Sequence, residues 1–213
     1  MKRFLAGAFS LLLALGAGIR IWYVNTHVDP RFTPPETEVY QMGEWVELEG
    51  NFQFGAQECT DGYAVRLESV EFMTPEEYAG KYDLDLEMFR MGPKGEMPKT
   101  VADLTLNFRN AGSEEGYIQF VYYRMYSDND LRSFAPLADV NGTLHPEMNE
   151  RLGFMIYPGT ESGPAHFCLV SGVEMSGAIT GNYRNFPKYL QISITPVRKV
   201  IEIPVPDSLK DKA

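Results

Sequence analysis

Enzyme chemistry needs a base, a nucleophile or a metal, so the histidines and cysteines come first. The 213-residue chain has three histidines, His27, His145 and His166, and two cysteines, Cys59 and Cys168. No His-x-x-x-His and no Cys-x-x-Cys occurs, which removes the common zinc spacings. His145-Pro146-Glu147 with Glu150 offers an imidazole and two carboxylates, yet Pro146 reads more simply as the start of a helical turn. Asp128-Asn129-Asp130 has the alternate oxygen donors of a calcium loop. It lacks the glycine and the distant bidentate glutamate, and a polar hairpin turn accounts for it. There is no Gly-x-Ser-x-Gly elbow and no phosphate-binding glycine loop. Thr160-Glu161-Ser162-Gly163 and Met175-Ser176-Gly177 read as loops, and a serine nucleophile would have to use His166 as its base. The expectation is a protein without catalytic, metal or cofactor residues, and not an enzyme. The alternative is an envelope hydrolase or metal-dependent enzyme using His145 or His166.

Cys59 and Cys168 leave two readings open. A disulfide would close a loop of about 110 residues, worth up to about 4.7 kcal/mol in the chain-entropy model. Against it, free cysteine is a common core filler, and a domain of this size has enough core without a staple. If Phe167 and Leu169 face the core, Cys168 points the other way with His166.

The elements that would position these residues are mostly strands. Hydrophobic residues make up 44% and charged residues 23%, so a packed core is expected and global disorder is not. Short apolar segments run at Trp45 to Leu48, Tyr63 to Phe72, Val101 to Arg109, Tyr117 to Tyr126 and Leu152 to Ile156. Others run at Ala165 to Val170, Tyr189 to Thr195 and Val200 to Val205. Several alternate at period two. Tyr63, Val65 and Leu67 oppose Arg66 and Glu68, while Ala102, Leu104, Leu106 and Phe108 oppose Asp103, Thr105, Asn107 and Arg109. Turn chemistry at Thr60-Asp61-Gly62, Asn110-Ala111-Gly112, Asn141-Gly142 and Tyr157-Pro158-Gly159 separates the strands. This punctuation predicts an all-β, antiparallel β-sandwich over residues 45–205. Thr74-Pro75-Glu76-Glu77 is a capping box, so one short helix is expected from Pro75 to about Tyr82. The long connection from Asp83 to Thr100 is read as covering one end of the core with Leu84, Leu86, Met88 and Phe89.

The N-terminus has a different texture. Met1-Lys2-Arg3 precedes an apolar run from Phe4 to Ile19 that includes Leu11, Leu12, Leu13 and Leu15. The run spans about 24 Å as helix, and about 31 Å if Arg20 snorkels and the helix continues to Val24. Trp22 and Tyr23 would then lie at the outer interface. Residues 1–24 are therefore read as a signal-anchor transmembrane helix with the rest of the chain extracytoplasmic. The competing outcome is cleavage after Ala14-Leu15-Gly16, which would give a secreted protein. Pro30, Pro34 and Pro35 make residues 25–44 a stalk, and 206–213 reads as a disordered tail.

The formal net charge is −10. The first 31 residues hold four basic side chains and one acidic one, which leaves 15 basic and 28 acidic beyond them, a net of −13. Such a field repels phosphate, so nucleic acid is not an expected partner. The expected partners are the membrane, through the N-terminal helix, and a protein of the envelope. A small-molecule ligand is left open.

The anchor and stalk, the Tyr63-Ala64-Val65-Arg66-Leu67 strand and the Val101–Asn110 strand closing on an Asn turn form a pattern. With Tyr157-Pro158-Gly159 ahead of Ala165-His166-Phe167-Cys168-Leu169-Val170, it resembles uncharacterised membrane-anchored domains of Gram-positive-type envelopes, telokin-like and immunoglobulin-like. The resemblance implies an immunoglobulin-like sandwich outside the membrane, and implies no chemistry.

Overall fold

A computed structural model gives the fold. It describes Gly16, Arg20, residues 35–53, Gly55, and residues 58–127, 133–148, 152–171 and 186–207. The chain divides into two units, Met1–Pro34 and Pro35–Ala213. The anchor residues Phe4, Leu11, Leu12, Leu13, Leu15, Ile19, Trp22 and Tyr23 lie outside the described residues, as do Asp128–Asp130, Glu150 and Met175–Gly177. Among the described residues no helix is long and apolar enough to cross a membrane.

The second unit is mostly β. Its strands are β1 (Thr37–Gln41), β2 (Val46–Glu47), β3 (Tyr63–Met73), β4 (Val101–Asn110), β5 (Ile118–Gln119) and β6 (Arg124–Tyr126). They continue with β7 (Ser133–Pro136), β8 (Gly153–Phe154), β9 (Thr160–Glu161), β10 (Ala165–Ser171), β11 (Tyr189–Gln191) and β12 (Arg198–Glu202). Ten of them form one sheet in the order β1-β12-β11-β6-β7-β10-β4-β3-β2, with β9 on β4, and β5 and β8 form a separate ribbon. Two helices interrupt the strands, α1 (Pro75–Tyr82) and α2 (Ala138–Leu144).

The alternation read from the sequence is realised in β3 and β4. Tyr63, Val65 and Leu67 pack with Ala102, Leu104, Leu106 and Phe108 in the main core. The same core takes Met125 and Phe134 from β6 and β7, and Leu190 and Ile201 from β11 and β12. The sheet therefore sends side chains from most of its strands into one shared core. Its two edge strands, β1 and β2, are consecutive in the chain, and Lys199 of β12 reaches across. Its ammonium donates to Glu47 O at 2.7 Å and pairs with the Glu49 carboxylate, with only 1% of the side chain exposed.

The structure corrects the expectations in five places. The pairing is not wholly antiparallel, because β1 runs parallel to β12. These strands lie at opposite ends of the domain sequence, so no hairpin forces their direction. β1 lies inside the 25–44 stretch read as stalk, and that stretch is structured from Thr37. Among the described residues of this unit there are two helices rather than one, and Asn141-Gly142, read as a turn, lies inside α2. Tyr117 to Tyr126, read as one strand, is broken by a 3-10 turn over Phe120–Tyr122. Phe120 and Tyr123 are both buried with ring centroids 5.0 Å apart, and a 3-10 turn sets residues i and i+3 on one side. Lastly, Phe89 and its neighbours do not cap an end of the main core. They cover the outer face of the sheet.

That outer face carries a second cluster, in which Tyr78, Ala79 and Phe89 meet Val101, Val140, Cys168 and Val170. Phe167 and Leu169 face the main core while Cys168 faces the second. Thr74 caps α1 as the sequence indicates: its hydroxyl accepts from Glu77 N at 3.2 Å, and Glu77 Oε2 accepts from Thr74 N at 2.8 Å.

Candidate functional site

The ribbon of β5 and β8 carries the surface that stands out. Its inner side is ordinary core, with Ile118 and Ile156 buried and Phe154 packed against them. Its outer side is not ordinary, since Met155 is 64% and Tyr157 84% exposed. Isolated exposed apolar residues are common, but two beside one another above a cavity mark an interaction surface.

Ile118 pairs with Phe154 and Gln119 with Gly153. Phe120 N donates to Leu152 O at 3.1 Å, so that pair is a hydrogen-bonded one. Antiparallel pairs alternate, which makes Ile118/Phe154 hydrogen-bonded and Gln119/Gly153 not. The ladder ends at Ile118 and Phe154, and Met155 follows directly. A cavity of about 700 Å³ beside it is bounded by Tyr117, Gln119, Met155, Tyr157, Pro158 and Glu147. Its size is that of an ordinary ligand site.

Polar groups of two residues here have no partner among the described residues. Gln119 is 8% exposed; its Nε2 donates to Tyr117 Oη at 2.8 Å, and its Oε1 has no partner among the described residues. No described residue bonds to the main-chain N–H or C=O of Met155.

A second cavity of about 310 Å³ lies between the same segment and β9 and β10. It is lined by Met155, Ile156 and Tyr157, and by His145, Glu147, Thr160, Glu161 and Ser162. The His145 ring stacks on Phe167 at 4.5 Å, and its Nε2 lies 2.7 Å from His166 O. A carbonyl only accepts, so Nε2 carries the proton and Nδ1 faces Glu147 Oε1 at 3.4 Å. Ser162 is committed elsewhere. Its hydroxyl donates to Phe108 O at 3.3 Å and accepts from Phe108 N at 3.0 Å.

His166 sits in a different place, on the outer face of the sheet under α1. Its Nδ1 lies 3.2 Å from Asp103 Oδ1 and 3.5 Å from Thr105 Oγ1. Asp103 Oδ2 accepts from Lys81 Nζ at 2.8 Å and from the Tyr82 hydroxyl at 2.6 Å, with 1% of the Asp103 side chain exposed. Hydrogen bonding to Asp103, then to Glu71, raises the Lys81 ammonium above the usual lysine range. Burial, then the bond to Asp103, raises the Tyr82 phenol. A histidine oriented by a buried carboxylate is the second half of a catalytic triad. Here the carboxylate is shared with a lysine and a tyrosine of α1, and the nearby hydroxyls of Thr105 and Ser69 lie on the Nδ1 side. The cluster clamps α1 to the sheet.

The structure thus keeps His145 and His166 in separate surroundings joined only through main chain. Among the described residues no three His, Cys, Asp or Glu side chains converge as metal ligands. Cys59 is exposed, Cys168 is buried, and no disulfide joins them. Sequence reading passed over Gln119, Gly153, Met155 and Tyr157. The available signal was the run Phe154-Met155-Ile156-Tyr157, apolar at every position where a strand with one wet face should alternate.

No curated protein and no solved structure matches the chain. A protein-family match covers residues 37–199, from β1 into β12, and therefore most of the folded unit. The chain belongs to the family described as Domain of unknown function (DUF5028).

Proposed function

We infer that the protein is a non-catalytic binding module of the cell envelope, tethered to the cytoplasmic membrane by residues 1–24 and engaging a protein partner through the face of Met155 and Tyr157. One observation carries the binding reading: two exposed apolar side chains line two cavities, beside a buried amide oxygen with no partner among the described residues. The envelope reading rests on Lys2-Arg3 ahead of the Phe4 to Ile19 run and on the resulting topology. The fold reading that accompanies it is an immunoglobulin-like sandwich. In support, the β3-β4-β10 and β6-β11-β12 parts of the sheet contribute to one shared core. A hydrolase using His145 or His166 gains support only from the Asp103–His166 contact, and Asp103 also serves Lys81 and Tyr82.

The test places a photo-crosslinking amino acid at Tyr157 in cells, with Glu76 of α1 as control. A discrete adduct at 157 that is absent at 76 and lost on Gly153→Val supports the binding face. Equal labelling at both positions, or none, removes it. Alkaline phosphatase fused after Ala213 checks the topology: an inactive fusion would refute an extracytoplasmic domain.

A further inference from the structure

The proposed binding face leaves open what kind of ligand it takes. Three features of the ribbon bear on this, and they point the same way.

The first is the edge itself. Met155 directly follows β8, and its main-chain N–H and C=O have no described partner. A strand edge with free main-chain groups is a template for another extended chain. The second is the position of the cavities. Successive residues of an added strand point to opposite faces. Met155 lines both the 700 Å³ and the 310 Å³ cavity. Pockets beside a free edge are what strand addition uses for side-chain specificity.

The third feature is charge. Among the described residues no lysine or arginine lines either cavity, while Glu147 lines both and is 64% exposed at its side chain. Glu161 in the smaller cavity is 3.8 Å from Arg66 and so partly compensated. Gln119 Oε1 in the larger cavity is an acceptor without a donor. The site therefore offers acceptors and negative charge, and needs a ligand that brings donors and positive charge.

We propose that the free edge at Met155 binds a partner protein by strand addition, pairing its main chain with an extended segment of alternating apolar and basic residues. The apolar side chains enter the cavities, and a lysine or arginine lies against Glu147. This rests on the reading of the same face as a binding surface.

The experiment uses the full-length chain in detergent and a synthetic, end-blocked peptide of alternating valine and lysine. The peptide should bind, and N-methylation of its central amide should weaken binding about tenfold or more, because one main-chain hydrogen bond is lost. Met155→Pro removes the protein's N–H and should do the same, whereas Met155→Ala keeps the main chain and should cost less. Glu147→Lys should weaken the lysine peptide and favour a glutamate analogue. Because N-methylation leaves the protein untouched, the result does not depend on the proline variant folding. Binding indifferent to N-methylation overturns the proposal, as does failure of the peptide to bind. A homodimer dissolved by Met155→Pro would assign the edge to a second copy and overturn it too. If the photo-crosslink at 157 persists while the peptide fails, the binding face stands and strand addition falls.

Discussion

Asn141 of α2 is joined to Cys168 of β10 as one strand is joined to another. Its Nδ2 donates to Cys168 O at 2.7 Å, and its Oδ1 accepts from Cys168 N at 2.8 Å. Asn141 is fully buried, and its Nδ2 also donates to Leu137 O at 2.8 Å. One side-chain amide thereby docks a helix on a sheet through main-chain groups alone. Asn141→Ala would leave Cys168 N–H buried and unpaired. The expected loss is about 2–3 kcal/mol, read as a lower urea midpoint with unchanged slope. A midpoint equal to that of the wild type would show that the amide is dispensable.

Stability should fall in alkali. Lys81 is raised by its bonds to Asp103 and Glu71. Lys199 is lowered by burial but raised overall by Glu49, Tyr40 and Glu38. Burial raises Tyr78, Tyr82, Tyr123 and Cys168. A group raised on folding contributes stability that is complete below its unfolded value and is lost as pH rises toward its folded one. The ordinary values are 9.0 for Cys168, 10.0 for the tyrosines and 10.5 for the lysines. The urea midpoint should therefore decline as pH rises above about 9. A midpoint that climbs in that range would contradict the assignment.

The two thiols should behave differently. Cys59 is exposed and Cys168 buried. Attack by a thiol reagent needs an accessible thiolate, and burial together with Asp103 holds the Cys168 thiol up. Native protein should label once, rapidly, and denatured unreduced protein twice. A denatured monomer with no titratable thiol would establish a bridge instead.

Gly116 should resist every substitution. Its φ is +97°, and a Cβ there would lie 1.9 Å from Cys59 O and 2.8 Å from Glu58 O, both main-chain atoms. Tyr117 N donates to Glu58 O at 2.8 Å, so the close approach is fixed by the lead into β5. Gly116→Ala should cost at least about 2 kcal/mol by thermal unfolding. A loss well under that would mean that the loop moves aside at little cost.

The sequence determined those features that depend on near neighbours. Period-two alternation placed Tyr63, Val65 and Leu67 on the core side, and a four-residue capping box placed the start of α1 at Pro75. Even the orientation of Cys168 away from Phe167 and Leu169 followed from side-chain alternation. What the tertiary structure decided was how distant segments meet. The parallel pairing of Thr37–Gln41 with Arg198–Glu202 joins the two ends of the domain, and no local pattern encodes it. Asn141-Gly142 has turn chemistry, yet the Cys168 main chain, reached only in the fold, holds Asn141 in a helix. Likewise Gln119 stands opposite Gly153, and both line one cavity, only because the register sets that pair. Register belongs to the assembled sheet, since a one-residue slip would turn each side chain to the other face.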